Sequence, residues 1–191
     1  MAGAVALVFA MLASGCGPSE RPIDYGGIDP SAARSGPRCR TGATLDADRG
    51  CVGDLTASGE LLAVGYQHEA STFVLQTASL AIDGQVVFLR DAGDVVAPQM
   101  GLFEGRIPVG AHVASLRLVY RGQGTGAQSY LNAYRYEIRS SHEFTVRSGQ
   151  PMRITVTGFT RGDATTPLAD RLGVRHTDAP FTLAPASGPT P

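Results

Sequence analysis

Lysine is absent: all 16 basic residues of this 191-residue chain are arginine, so no side-chain amine is available to carry a covalently attached cofactor. Net charge is missing too. Sixteen basic against 17 acidic residues leave −1, so no whole-molecule field favours nucleic acid or membrane headgroups, and any electrostatic preference must be local. No apolar run reaches the ~20 residues that a spanning helix needs. The three cysteines have no CxxC spacing and the four histidines are scattered, which gives no zinc pattern. GxSxG and HExxH are also absent, as are internal repeats and heptads. These absences exclude the commonest hydrolase, metalloprotease and coiled-coil signatures, and no cofactor or metal is expected.

What is present begins with an uncharged, almost wholly apolar stretch over residues 1–13. It is too short to span a membrane and reads as the core of an export leader. Leu12-Ala13-Ser14-Gly15-Cys16 follows and resembles the lipobox cut by the lipoprotein signal peptidase. On that basis residues 1–15 are a signal peptide and Cys16 becomes a lipidated N-terminus that holds the chain to a membrane. Gly17 after the cysteine resembles outer-membrane sorting. Two features depart from the pattern: the leader has no basic start, and Ala13 stands where leucine is usual. The alternative is a plain cleaved signal peptide with an incidental cysteine.

In an exported chain the remaining pair, Cys39 and Cys51, is expected to form a disulfide. Closing so short a loop is worth about 3 kcal/mol. Residues 16–54 are read as a flexible tether carrying this loop outside the folded domain, because residues 17–38 are rich in Pro, Gly, Ser and Arg. Asp46-Ala47-Asp48-Arg49-Gly50 looks like the opening of a calcium loop, but Cys51 occupies the sixth position where an EF-hand needs Gly. A surface turn is expected instead. Residues 177–191 read as a disordered tail.

Residues 55–176 carry strand chemistry. Phe73 to Ile82 and Gln85 to Arg90 flank Asp83-Gly84, a two-residue turn signal because both positions need positive φ. From His112 to Tyr120, Ala114, Leu116, Leu118 and Tyr120 alternate with Val113, Ser115, Arg117 and Val119. Tyr130 to Ile138 alternates likewise, and Ser148-Gly149 marks a last hairpin between His142–Val146 and Met152–Val156. With segments near Glu60 to His68 and Leu102 to Ile107, about eight short strands result, and the fold class is an all-β antiparallel sandwich. One helical turn is expected after Thr166-Pro167.

Three groups of residues suggest chemistry. Gly122, Gly124 and Gly126 form a GxGxG run, but a phosphate loop needs a helix N-terminus behind it, and a strand is expected there. Ser140, Ser141, His142 and Glu143 suggest an activated hydroxyl, yet adjacent strand residues face opposite ways, so Ser141 and His142 do not share a proton. Third, residues 115–153 hold six arginines against only Glu137 and Glu143. Strand parity puts Arg117, Arg135, Arg139 and Arg153 opposite the core, where they could build one Tyr-bordered basic face for sulfate, phosphate or carboxylate groups. The competing interpretation is a solvated face with cross-strand ion pairs.

Residues 59–175 resemble a family of exported bacterial proteins of unassigned activity that often carry the label dihydrolipoamide acetyltransferase. The resemblance is carried by Leu80-Ala81-Ile82-Asp83-Gly84, Phe103-Glu104-Gly105, Gly110-Ala111-His112, Tyr120-Arg121-Gly122-Gln123-Gly124, Ser129-Tyr130-Leu131, Ser140-Ser141-His142 and Thr165-Thr166-Pro167-Leu168. It implies export and a shared sandwich. The label does not transfer: there is no lysine for a lipoyl group, and the His-x3-Asp of that acyltransferase is missing. His68, His112, His142 and His176 are followed at that offset by Thr72, Leu116, Val146 and Pro180. The expectation is therefore a non-catalytic binding or scaffolding lipoprotein of the cell envelope, in the outer membrane and facing the periplasm or exterior. Its partner would be an anionic envelope polymer or another envelope protein, not nucleic acid. The rival is a hydrolase of envelope polymers.

Overall fold

Strands that alternate apolar and polar residues bury one face each, and two such sheets cover one another when stacked. A computed structural model describes residues 36–40, 42–54, 58–91, 98–162 and 165–181. The leader, Cys16, the tether before residue 36 and the tail from residue 182 lie outside the described residues.

The strands are β1 (Gly36–Cys39), β2 (Thr44–Asp46), β3 (Gly50–Val52), β4 (Glu60–Glu69), β5 (Phe73–Ile82), β6 (Gln85–Asp91), β7 (Gln99–Ile107), β8 (Gly110–Gly122), β9 (Arg135–Val146), β10 (Met152–Thr160) and β11 (Leu172–Pro180). A 3-10 helix, Gly126–Ala133, and one helical turn, α1 (Leu168–Arg171), complete the described elements. One sheet has five strands in the order β1-β6-β5-β8-β9, and the other has six in the order β11-β10-β4-β7-β3-β2. Most neighbours are antiparallel, but β10 runs parallel to β4 and β3 parallel to β7. Asp83 and Gly84 both take positive φ between β5 and β6, at 51° and 82°, as the turn signal requires.

Between the sheets, Leu62, Val64 and Tyr66 of β4 and Ile154 and Val156 of β10 join one core with Leu75 and Leu80 of β5 and Leu116, Leu118 and Tyr120 of β8. Two buried hydroxyls are satisfied inside it. The Tyr66 hydroxyl lies 2.8 Å from Nδ1 of His68 and 3.0 Å from the Tyr120 hydroxyl. Since His68 Nε2 lies 2.9 Å from the Phe73 carbonyl, Nε2 carries the proton and donates, Tyr66 donates to Nδ1, and Tyr120 donates to Tyr66. Burial pushes both phenols up, Tyr120 to about 12, so both hydroxyls keep their protons. Gly158 leaves room for it: a Cβ there would collide with both hydroxyls.

Four sequence expectations change. The sandwich begins before residue 55, because β1 joins β6 and β3 joins β7. These short strands are held by backbone hydrogen bonds, which composition does not reveal. At the other end, β11 extends through residues 177–180, assigned to the tail, in register with β10. The Ser148-Gly149 turn reverses the chain but makes no hairpin ladder: apart from an Arg147–Gln150 bridge, β9 and β10 part into different sheets. Finally, Tyr130 lies in the 3-10 helix, and the ninth strand starts only at Arg135.

Candidate functional site

The four arginines do not form one face. Arg117 stands directly across from Arg139, and Arg121 across from Arg135, on the outward side of β8 and β9. Like charges so placed repel, and Glu137 between them offsets the repulsion. It accepts from Arg117 at 2.8 Å and from Nε of Arg139 at 2.8 Å. These two hydrogen bonds hold the Glu137 carboxyl down at about 2. Arg153 lies on β10 in the other sheet, its guanidinium 4.4 Å from the Phe181 ring centre. The expectation failed at the chain's passage between layers, which carries Arg153 away from the other three. The tyrosines do not border the arginines either: Tyr136 turns to the core side, edge-on to Phe73 at 5.3 Å, and Tyr134 stacks on it at 6.4 Å.

Arg153 instead edges a groove of about 460 Å³ on the outer surface of the six-stranded sheet. Ala63, Gly65 and Thr155 line it, with Gln67 and Gln99 nearby, and one side is the turn Ala47–Arg49 between β2 and β3. That turn is the surface turn expected in place of a calcium loop: Asp46 Oδ1 accepts the amides of Asp48 and Arg49, each at 3.0 Å. It can lie across the sheet because Gly101 beneath it has no side chain, where a Cβ would strike the Arg49 backbone. Glu104, almost fully buried on β7, lines the same groove and meets Arg49 at 3.3 Å. The groove therefore offers amide, hydroxyl, guanidinium and carboxylate groups over a low floor.

A second groove, about 570 Å³, lies by the β5–β6 turn with Arg40, Arg106, Asp83 and His112 on its rim. His112 Nδ1 is 2.6 Å from the Asp83 carboxylate and Nε2 is 2.8 Å from the Pro108 carbonyl. Both partners are acceptors, so this geometry suits the doubly protonated ring. Burial alone would push His112 down, but the Asp83 hydrogen bond, the Pro108 carbonyl and the Asp83 charge outweigh it, and the net direction is up.

A third cluster was missed in the sequence. Ser140 and His142 stand opposite Leu116 and Ala114 of β8 and so face the core; His176 and Asp178 stand opposite Val156 and Ile154 of β10 and face it too. Ser140 Oγ and His176 Nε2 are 2.7 Å apart, and His142 Nε2 donates to Asp178 Oδ1 at 2.7 Å. The two imidazoles stack at 4.7 Å with 1° between their planes. Parity correctly separates Ser141 from His142, but the partner of Ser140 lies 36 residues away on the opposite sheet. Polar residues on core-facing strand positions were the one available signal.

The GxGxG run is followed by the 3-10 helix rather than directly by a strand. It still is no phosphate cradle, because Asn132 takes the Gly124 amide at 2.8 Å. Among the described residues no three His, Cys, Asp or Glu side chains converge on a possible metal position. No protein-family model, curated protein or solved structure matches the chain.

Proposed function

We propose that this chain is an exported envelope lipoprotein: a non-catalytic binding module, held at the outer membrane by a lipid on Cys16, that takes its partner in the groove edged by Arg153 and Arg49. The observation that carries the proposal is the Cys39–Cys51 disulfide, with Cα atoms 5.3 Å apart. Such bonds persist in oxidising compartments and are rare where thiols are kept reduced. It agrees with the leader pattern ahead of Cys16. The groove's mixture of hydrogen-bonding groups suits an anionic envelope polymer or an extended segment of another envelope protein. With a net charge of −1, nucleic acid is no part of the proposal. Labelling with a palmitate analogue tests the anchor: Cys16→Ala is expected to lose label and leave the membrane fraction, and retention of both would contradict it. Thr155→Tyr, filling the groove, is expected to abolish capture by purified anionic envelope polysaccharide.

The 2.7 Å contact between Ser140 and His176 favours a second reading, a hydrolase acting on envelope polymers. A serine-activating imidazole is normally held at its other nitrogen by a carboxylate. Here Asp178 bonds His142 instead, and His176 Nδ1 has no hydrogen-bond partner among the described residues. Covalent labelling of Ser140 by a fluorophosphonate would favour the hydrolase; a chain that takes none supports the binding module.

A further inference from the structure

We propose that the Ser140–His176 and His142–Asp178 pairs form a proton-operated latch, which holds β9 and β11 together at neutral pH and releases them when the surroundings acidify. These are the edge strands of opposite sheets on the same side of the sandwich, and no backbone ladder joins them. The disulfide lies on the other side. What spans the β9–β11 seam is side-chain contact, and at its centre the apolar core gives way to two hydroxyl- or carboxylate-bound imidazoles.

The stack of two parallel rings at 4.7 Å is comfortable while His176 is neutral. Its Nε2–H can donate to Ser140, which leaves Nδ1 as a bare lone pair. Protonation changes this. Among the described residues Nδ1 is buried without a hydrogen-bond partner, so its new N–H would find no acceptor there. The added charge would also face His142 across the stack.

Nearby charge gives little relief. Among the described residues Asp178 is the one carboxylate facing the pair, and it is already engaged by His142. β8 presents Ala114 and Leu116 to the seam, and β10 presents Ile154 and Val156. His112, the next ionisable group on the core side of β8, lies beyond Phe144 and adds positive charge. Arg139, Glu143 and Arg175 occupy outward positions. Burial, and then His142, holds His176 below the ordinary imidazole value, with Asp178 opposing.

The sign follows from linkage. An open seam returns His176 to about 6.5, above its closed value, so protons favour opening. The latch is intact above about pH 6.5. It weakens as pH falls toward the closed-state value, by about tenfold per pH unit in the opening equilibrium.

Amide exchange of β11 in the full chain, corrected for intrinsic rates between about pH 7.5 and about pH 5, tests this while NMR follows the His176 ring. Exchange is expected to accelerate by about tenfold per pH unit once the pH is below about 6.5, and to stay flat in His176→Gln. Should that variant fail to fold, Ser140→Ala serves: its opening midpoint must shift with the His176 titration. PH-independent exchange in the wild type, an unchanged pH response in His176→Gln, or an opening that ignores the shifted titration would each overturn the latch.

Discussion

Along one side of the sandwich the layers are joined by a covalent bond from Cys39 of β1 to Cys51 of β3; along the other, β9 meets β11 through Ser140, His142, His176 and Asp178. The first closure is indifferent to protons and vulnerable to reductant. The second has the opposite sensitivities. A sandwich built this way can loosen along one side without losing the other, because each sheet keeps its own backbone ladders.

The largest expected effect comes from removing the covalent side. The sequence placed the disulfide loop outside the domain, which would make its loss harmless to melting. Because the bond instead joins the two sheets, with Cys51 fully buried, replacing both cysteines by serine is expected to cost about 3 kcal/mol, roughly 10 °C in Tm. Melting within a degree or two of the wild type would show that this side needs no covalent closure.

Between the two sides, the Tyr66–Tyr120 contact is common to both. Gly158→Ala would press a methyl group against two buried hydroxyls and is expected to cost about 1–3 kcal/mol. Denaturant unfolding measures it, and an unaffected midpoint would mean that β10 shifts freely.

How much of this was legible depended on distance along the chain. The Asp83-Gly84 turn and the shared face of Arg117, Arg135 and Arg139 follow from local rules, positive φ and strand parity, and both hold. Arg153 was misplaced because a tight turn at Ser148-Gly149 fixes a reversal without saying which sheet the next strand enters. The Ser140–His176 pair was invisible for a related reason: it depends on two edge strands being stacked, which neither strand's own pattern records. β1 and β3 leave no pattern in the sequence because four- and three-residue strands are too short to show a period.

Two histidines respond to protons in opposite senses, with smaller effects. His112, raised by Asp83 over the opposing effect of burial, contributes stability that is present below about pH 6.5 and is lost as pH rises through its folded value. His176, held below the ordinary value by burial and His142, contributes in the reverse sense, losing stability as pH falls below about 6.5. Melting curves of Asp83→Asn and His176→Gln should therefore both diverge from the wild type as the pH falls below about 6.5, in opposite senses: Asp83→Asn loses stability there, and His176→Gln escapes the acid-induced loss; divergence in the same sense would contradict the assignments. Smallest of all is the outward ion-pair cluster, where Glu137→Gln is expected to cost less than about 1 kcal/mol and to matter less in high salt.

The most direct measurement combines the two perturbations in one sample, with strand-resolved amide exchange recorded in the oxidised and reduced protein at neutral and at mildly acidic pH. Reduction is expected to speed exchange around β1 and β3 and leave β11 protected at neutral pH, whereas acid is expected to speed exchange in β11 and leave β1 and β3 protected while the disulfide is intact. Opening of both sides together under either perturbation would contradict this, because the two closures would then not be independent.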